Sequence, residues 1–331
     1  YNTSDVTIRG VFSYLFTMPE QSLADLLKYK FWNDLQEISK SLCEKHHLKY
    51  NPNDEQPIRR WISYVARLIE PKERFSYFSK GFWTRIPKEC ISAVHLLADK
   101  FEYGENVNPY QSKTIKLNNL SEKKGRRTDL LWADWNIHHF HLPTSNPLDK
   151  DGFSSRSEYL LFTYVGNDYV CFLDVKHHKD DDCFSNPFFI QQIVESWPQL
   201  AESKRIKGIS IGDKLNAKEI AEFRKNGLMA PISLNGNVYM MGQGISTAGT
   251  PTNDIVLYDM LLSEIELLSK DLTAFLNRRS VQASPKNFSL EIKEDGLNLF
   301  FSKDGSFSNI KKFHLEHINR FFNQLWLLKP T

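Results

Sequence analysis

Two apolar runs joined by a three-residue turn constrain this chain more than any other feature. Residues 159–165 read YLLFTYV, Gly166-Asn167-Asp168 turns, and residues 169–176 read YVCFLDVK. Aromatic and β-branched residues on both sides of a turn rich in Gly, Asn and Asp predict an antiparallel hairpin. Residues 137–142 predict a further short strand ahead of the hairpin, and residues 206–211 and 237–241 two more behind it. Around these the periodicity is helical. Leu23, Leu26, Leu27, Phe31, Leu35 and Ile38 lie at helical spacing within 21–47, and Ile58, Trp61, Ile62, Val65 and Leu68 repeat the pattern before Pro71 ends it. Pro87 opens a third helix that Gly104 closes.

Residues 105–119 are polar with weak periodicity and read as a linker. Beyond the hairpin, helices are predicted after Pro187, over 217–226, over 254–277 and over 310–328, with a second hairpin at 288–302 turning at Asp295-Gly296. The expectation is therefore an α+β protein: a helical N-terminal part, and a small, mostly antiparallel central sheet with flanking helices. Three parts follow: a helical domain over 1–104, a sheet-containing core over 105–250, and C-terminal helices and a hairpin over 251–331. A Gly-rich loop, residues 242–249, resembles a phosphate cradle only superficially, because it has no Gly-Lys-Ser/Thr and fits no standard spacing.

Composition narrows the classes of function. With 331 residues, 41% hydrophobic and 13% aromatic, the chain can bury a large core and is not of disordered type. A net charge of +2 excludes whole-molecule attraction as the basis for binding nucleic acid, and leaves that role to a local patch. Such a patch lies between residues 113 and 127, where Lys123, Lys124, Arg126 and Arg127 fall close together. No run approaches the roughly 20 apolar residues of a membrane span, and no basic-then-apolar leader is visible, so no membrane association is expected. Cys43, Cys90, Cys171 and Cys183 form no CxxC. They read as reduced thiols of a cytoplasmic protein.

Chemistry concentrates between residues 123 and 178. Five of the ten histidines, His138, His139, His141, His177 and His178, fall here. Side chains alternate along a strand, so His139 and His141 share one side and His138 joins Phe140 and Leu142 on the other. On the returning strand Asp174, Lys176 and His178 are expected on one side, with Leu173, Val175 and His177 opposite. Histidine titrates near neutrality and serves as acid or base. Arginine, here Arg156, Arg126 and Arg127, binds phosphate in a charge-assisted, bidentate manner. RNA carries its own nucleophile, the 2′-hydroxyl, so metal-independent RNA cleavage needs only these groups.

Two other chemistries use the same residues. Glu158 and the Asp174-Val175-Lys176 run read as E-x15-D-x-K and resemble the PD-(D/E)XK nucleases, in which two acids hold Mg²⁺ and the lysine helps activate water. Ser157-Glu158 stands where that pattern has Pro-Asp. A zinc site through His139, His141 and His177 or His178 is the third, without an HExxH frame behind it. A different class of answer is a non-catalytic binding protein in which the histidines finish strand ends and the aromatic surplus serves a partner interface.

The run Trp135-Asn136-Ile137-His138-His139-Phe140-His141-Leu142, then Arg156-Ser157-Glu158-Tyr159-Leu160-Leu161-Phe162, then Leu173-Asp174-Val175-Lys176-His177 resembles a group of bacterial proteins. That group is associated with the RelE-like branch of the barnase, EndoU, colicin and RelE nuclease fold, among toxins and phage-defence proteins. The resemblance covers about residues 123–200. It implies a ribonuclease without a cofactor, with His139 and His141 as base and acid and with Arg156 and His177 near the phosphate. RNA is then the substrate, and a cognate antitoxin or defence-system protein the partner. Lys123, Lys124, Arg126, Arg127, Lys176 and His178 are the expected substrate-binding residues. Small RelE toxins lack the long helical N-terminal part found here.

Overall fold

The computed structural model describes residues 22–51, 56–117, 129–143, 147–210, 214–229, 231–247, 249–293, 295–303, 306–309 and 315–322. Lys123, Lys124, Arg126 and Arg127 lie outside the described residues. Along the chain come α1 (Leu23–Lys45), α2 (Pro57–Val65), β1 (Phe75–Phe78), α3 (Phe82–Arg85), α4 (Ile91–Glu102), α5 (Thr114–Leu117) and α6 (Leu130–Trp135). Next are β2 (Ile137–His141), β3 (Tyr159–Val165), β4 (Tyr169–His177), α7 (Phe188–Ser196), α8 (Pro198–Glu202), β5 (Arg205–Ile206) and α9 (Ala217–Lys225). The last are β6 (Ile232–Leu234), β7 (Asn237–Tyr239), α10 (Thr252–Arg278), β8 (Phe288–Lys293), β9 (Gly296–Lys303), β10 (Ser306–Asn309) and α11 (Glu316–Phe322). The architecture is α+β, with a helical N-terminal region and a small mixed central sheet flanked by helices. Among the described residues no helix is long and apolar enough to cross a membrane.

The chain divides into two compact units. Among the described residues, one comprises residues 22–38 and 261–322, the other residues 39–260. In the first, β8, β9 and β10 form an antiparallel meander, and Leu27, Phe31 and Leu35 are fully buried. Leu26 of the same helical stripe remains partly exposed.

The second unit holds the candidate site. Its central sheet has the order β1-β4-β3-β2, antiparallel except that β1 runs parallel to β4. Both sides of the hairpin are covered, which is why β3 and β4 read as unbroken apolar runs and not as alternating ones. On one side Leu160, Phe162, Tyr164 and Leu173 pack with Phe189, Ile190 and Ile193 of α7. On the other Phe140, Leu161, Phe172 and Val175 pack with Val94, Leu97 and Phe101 of α4. A smaller antiparallel sheet, β5-β7-β6, contributes Ile232 and Tyr239 to the first of these cores.

Two sequence expectations change here. Phe162 pairs with Asp174 but Thr163 pairs with Phe172, so Leu173 is an extra residue in β4. This β-bulge turns Leu173 toward the α7 side together with Asp174, and breaks the strict alternation expected of that strand. Residues 105–117 are not a loose linker. Asn108 exchanges hydrogen bonds with the backbone of Ile69, and Gln111 bridges to Phe140 of β2, both side chains being buried. Polar composition misleads at these positions because the side chains satisfy backbone groups inside the structure.

The Gly-rich loop has a packing role. A Cβ on Gly242 would meet the Asp134 carbonyl oxygen at 2.4 Å, and the Gly244 amide donates to the Ala133 carbonyl at 3.1 Å. Glycine here lets the loop approach the backbone of α6.

Candidate functional site

Helix α6 begins at Asp129, whose carboxylate accepts the amides of Leu131 and Trp132 in an N-cap. Asn136, in the left-handed conformation, ends the helix and turns the chain straight into β2. Ten residues thus bring Asp129 back against its own following strand. His139 Nδ1 lies 2.9 Å from Asp129 Oδ2, a contact that becomes an ion pair when the imidazole is protonated. Burial opposes ionisation of Asp129, but the charge and contact of His139, the Trp132 amide and Arg67 outweigh it, and its pKa falls to about 2. The carboxylate is therefore negative across the working pH range. It favours a proton on Nδ1 of His139 and leaves the lone pair on Nε2.

His141, two residues along the same side of β2, is buried. Its Nδ1 accepts the Ser157 amide at 3.4 Å. Burial, with the charges of His139, His178 and Arg156, lowers its pKa to about 4, so it is neutral at pH 7. The ring of His178 stacks over it, with centroids 6.4 Å apart and planes 15° from parallel. Phe184 stands edge-on to both His139 (5.2 Å) and His178 (6.3 Å), closing the group from the side. His178 and Arg156 are exposed, while His139 and His141 lie beneath. The result is a layered cluster with the buried His141 and half-buried His139 imidazoles below and an accessible imidazole and a guanidinium above.

The remaining sequence-predicted residues fall elsewhere. His177 sits on the opposite side of β4, edge-on to Tyr159 at 5.3 Å, and does not join His139 and His141. His138 packs on Phe140 and Trp132, and burial lowers its pKa to about 4. Lys176 pairs with the buried Asp174 at 2.7 Å, Arg85 stands 3.7 Å from the other carboxylate oxygen, and both cations lie over the Phe188 ring. The Glu158 side chain is exposed, and its carbonyl accepts the His178 amide. Asp174 faces Phe162, four residues further along β3, a separation on the order of 13 Å. The register therefore does not bring the Glu158 and Asp174 carboxylates together as a metal-binding pair. Among the described residues no group of three or more His, Cys, Asp or Glu is arranged to hold a metal ion.

A small polar depression with room for about one water molecule lies beside His139, lined by Arg67, Gln111, Ser112, Thr114, Asp129, Trp132 and His138. Sequence reasoning did not single out Asp129, Phe184, Arg67 or Gln111. Asp129 carried one readable signal, an N-cap residue directly before an apolar run. Arg67 and Gln111 carried none, because only the tertiary fold brings them to β2.

No family model, curated protein or solved structure matches this chain.

Proposed function

We propose that this protein is a metal-independent endoribonuclease in which His139 is the general base. The observation that carries the reading is the contact of His139 Nδ1 with the Asp129 carboxylate. It orients the ring, selects the tautomer with a free Nε2 lone pair, and stabilises the imidazolium that forms when a proton arrives. Nε2 takes the proton of the ribose 2′-hydroxyl, and O2′ attacks phosphorus. The P–O5′ bond then breaks, and the leaving O5′ takes a proton from the imidazolium of His178, the exposed member of the cluster. The first product is a 2′,3′-cyclic phosphate.

His141 takes a different role from the one its sequence position implies. Its Nδ1 is engaged as an acceptor and it is held neutral, so it presents Nε2–H to a phosphate oxygen as a donor. Arg156 supplies the mobile positive charge at the surface. His178, in the turn just past β4, and not His177, completes the set, because it stacks on His141 while His177 lies against Tyr159.

The resemblance to RelE-like nucleases supports the same chemistry, and adds a setting in bacterial toxicity or phage defence, a cytoplasmic location and an antitoxin-like partner. Lys123, Lys124, Arg126 and Arg127 belong to the reading as a substrate-approach segment on charge alone. The test is incubation of the purified chain with total RNA and with plasmid DNA, each with and without EDTA. RNA cleavage that survives EDTA, leaves DNA intact and falls at least about 100-fold in His139→Ala is the expected result. EDTA-sensitive cutting of DNA would replace this reading with a metal nuclease.

A further inference from the structure

We infer that Arg67 is a positioning residue of this site: its buried guanidinium shares a water-sized depression with the Asp129 carboxylate and limits how firmly that carboxylate holds a proton on His139. The inference rests on the ribonuclease reading, in which His139 must take up a proton and give it away again.

Arg67 follows α2 in the chain, is buried, and lines the same small depression as Asp129, His138 and His139. Its Nε donates to the Ser63 carbonyl at 3.4 Å and its Nη2 to the Ile115 carbonyl at 3.0 Å. These two bonds anchor the guanidinium to α2 and α5, so its charge sits at a fixed place beside the site.

That charge answers a difficulty in the chemistry. Asp129 lies 2.9 Å from Nδ1 of His139, and a carboxylate so close favours the imidazolium. Unopposed, it would leave the base already occupied by a proton at neutral pH. A general base works best when its affinity for the proton matches the working pH. Arg67 is one of the groups that hold Asp129 ionised, and its own positive charge disfavours a second one on the ring. The other groups around His139 do not supply this fixed charge. His138 and His141 are held neutral, with pKa values lowered to about 4 mainly by burial. His178 and Arg156 lie at the exposed end of the cluster, where water and salt screen them.

A second carboxylate stands behind the arginine. Asp254, buried at the start of α10, acts on Arg67 and on the neighbouring Arg60. Arg60 donates to the carbonyls of Lys49, Ile115 and Lys116. Asp254 and Asp129 both favour the charged form of Arg67, so its charge is answered by two acids. Asp254, Arg67, Asp129 and His139 thus form a series of alternating sign, with His139 positive when protonated. Removing the Arg67 charge should tighten the hold on the His139 proton, and removing the Asp254 charge should loosen it.

Titration of the histidine Cε1–H signals of the full chain by NMR, without substrate, tests this, with the His139 signal assigned by its loss in His139→Gln. Arg67→Gln is expected to move the His139 midpoint up by at least about 0.5 pH unit. Arg67→Lys, which keeps the charge, should return most of that shift. Asp254→Asn should move the midpoint down by a smaller amount. The acid limb of kcat/KM for RNA cleavage should follow both shifts, whereas damage to packing alone would not move it in opposite directions. A midpoint unchanged in folded Arg67→Gln, or moved the same way by both variants, overturns the inference. Where Arg67→Gln does not fold, Asp254→Asn decides, and a midpoint that does not fall overturns it. Shifted midpoints without RNA cleavage keep the effect of Arg67 on His139 and remove the ribonuclease reading. RNA cleavage with unmoved midpoints does the reverse.

Discussion

Asp129 joins two jobs that are separable by substitution. As an N-cap it closes two amides of α6, and as a carboxylate it holds His139. Asparagine caps helices about as well as aspartate but carries no charge. Asp129→Asn is therefore expected to keep the circular dichroism spectrum while lowering the cleavage rate at least about 100-fold, which a single-turnover assay on RNA would measure. Cleavage within a few-fold of the wild type would remove Asp129 from the mechanism. His141 yields a prediction on stability. Its folded pKa of about 4 lies below the ordinary 6.5, mainly because burial disfavours the charged ring. The unfolded chain takes up this proton first as pH falls. The stabilisation from the neutral ring is thus complete above pH 6.5, declines below it and is gone near pH 4. A shift of this size corresponds to at most about 3 kcal/mol. Urea denaturation at pH 7.5 and pH 4.5 should show wild type losing more stability than His141→Gln. Equal losses would mean that His141 is not held neutral.

At the scale of elements, the cluster depends on helices that sit beneath and beside it. Asp134 of α6 and Arg224 of α9 form a buried ion pair at 2.7 Å, and the guanidinium stacks over Trp135 at 4.0 Å. Arg224 also donates to the Phe184 carbonyl at 2.6 Å, which ties α9 to the segment that places Phe184 against His139 and His178. Arg224→Leu leaves Asp134 charged and uncompensated, and is expected to cost roughly 3–5 kcal/mol in urea denaturation. Adding Asp134→Leu should recover part of that loss. The same elements mark what the sequence could reveal. Strands β3 and β4 were legible as apolar runs and β2 as a short strand ahead of them, and the common side of His139 and His141 followed from alternation alone. β1 was not legible, because Phe75–Phe78 is four residues long and is stabilised by parallel pairing with a strand about 90 residues away. α6 was missed because six residues do not establish a helical period. The bulge at Leu173 belongs to the pairing of two strands and leaves no trace in one of them.

For the whole molecule, five histidines close together in sequence suggested a single cluster, and the fold sorts them by strand side. His139, His141 and His178 come together while His138 and His177 turn away into packing contacts. The two acids and the lysine of the E-x15-D-x-K run are instead separated along the strands, with Asp174 and Lys176 paired beneath α7 and Glu158 near the surface. What emerges is an aromatic-walled cluster of imidazoles with one ionised carboxylate behind it, which the proposed reading uses to move protons around a phosphodiester. The most direct test of that claim is mass spectrometry of the ends left on an RNA oligonucleotide cleaved by the purified chain in EDTA. Fragments ending in a 2′,3′-cyclic phosphate and beginning with a 5′-hydroxyl, absent with His139→Ala, are the predicted result. Fragments with 5′-phosphate and 3′-hydroxyl ends, or cleavage abolished by EDTA, would contradict it.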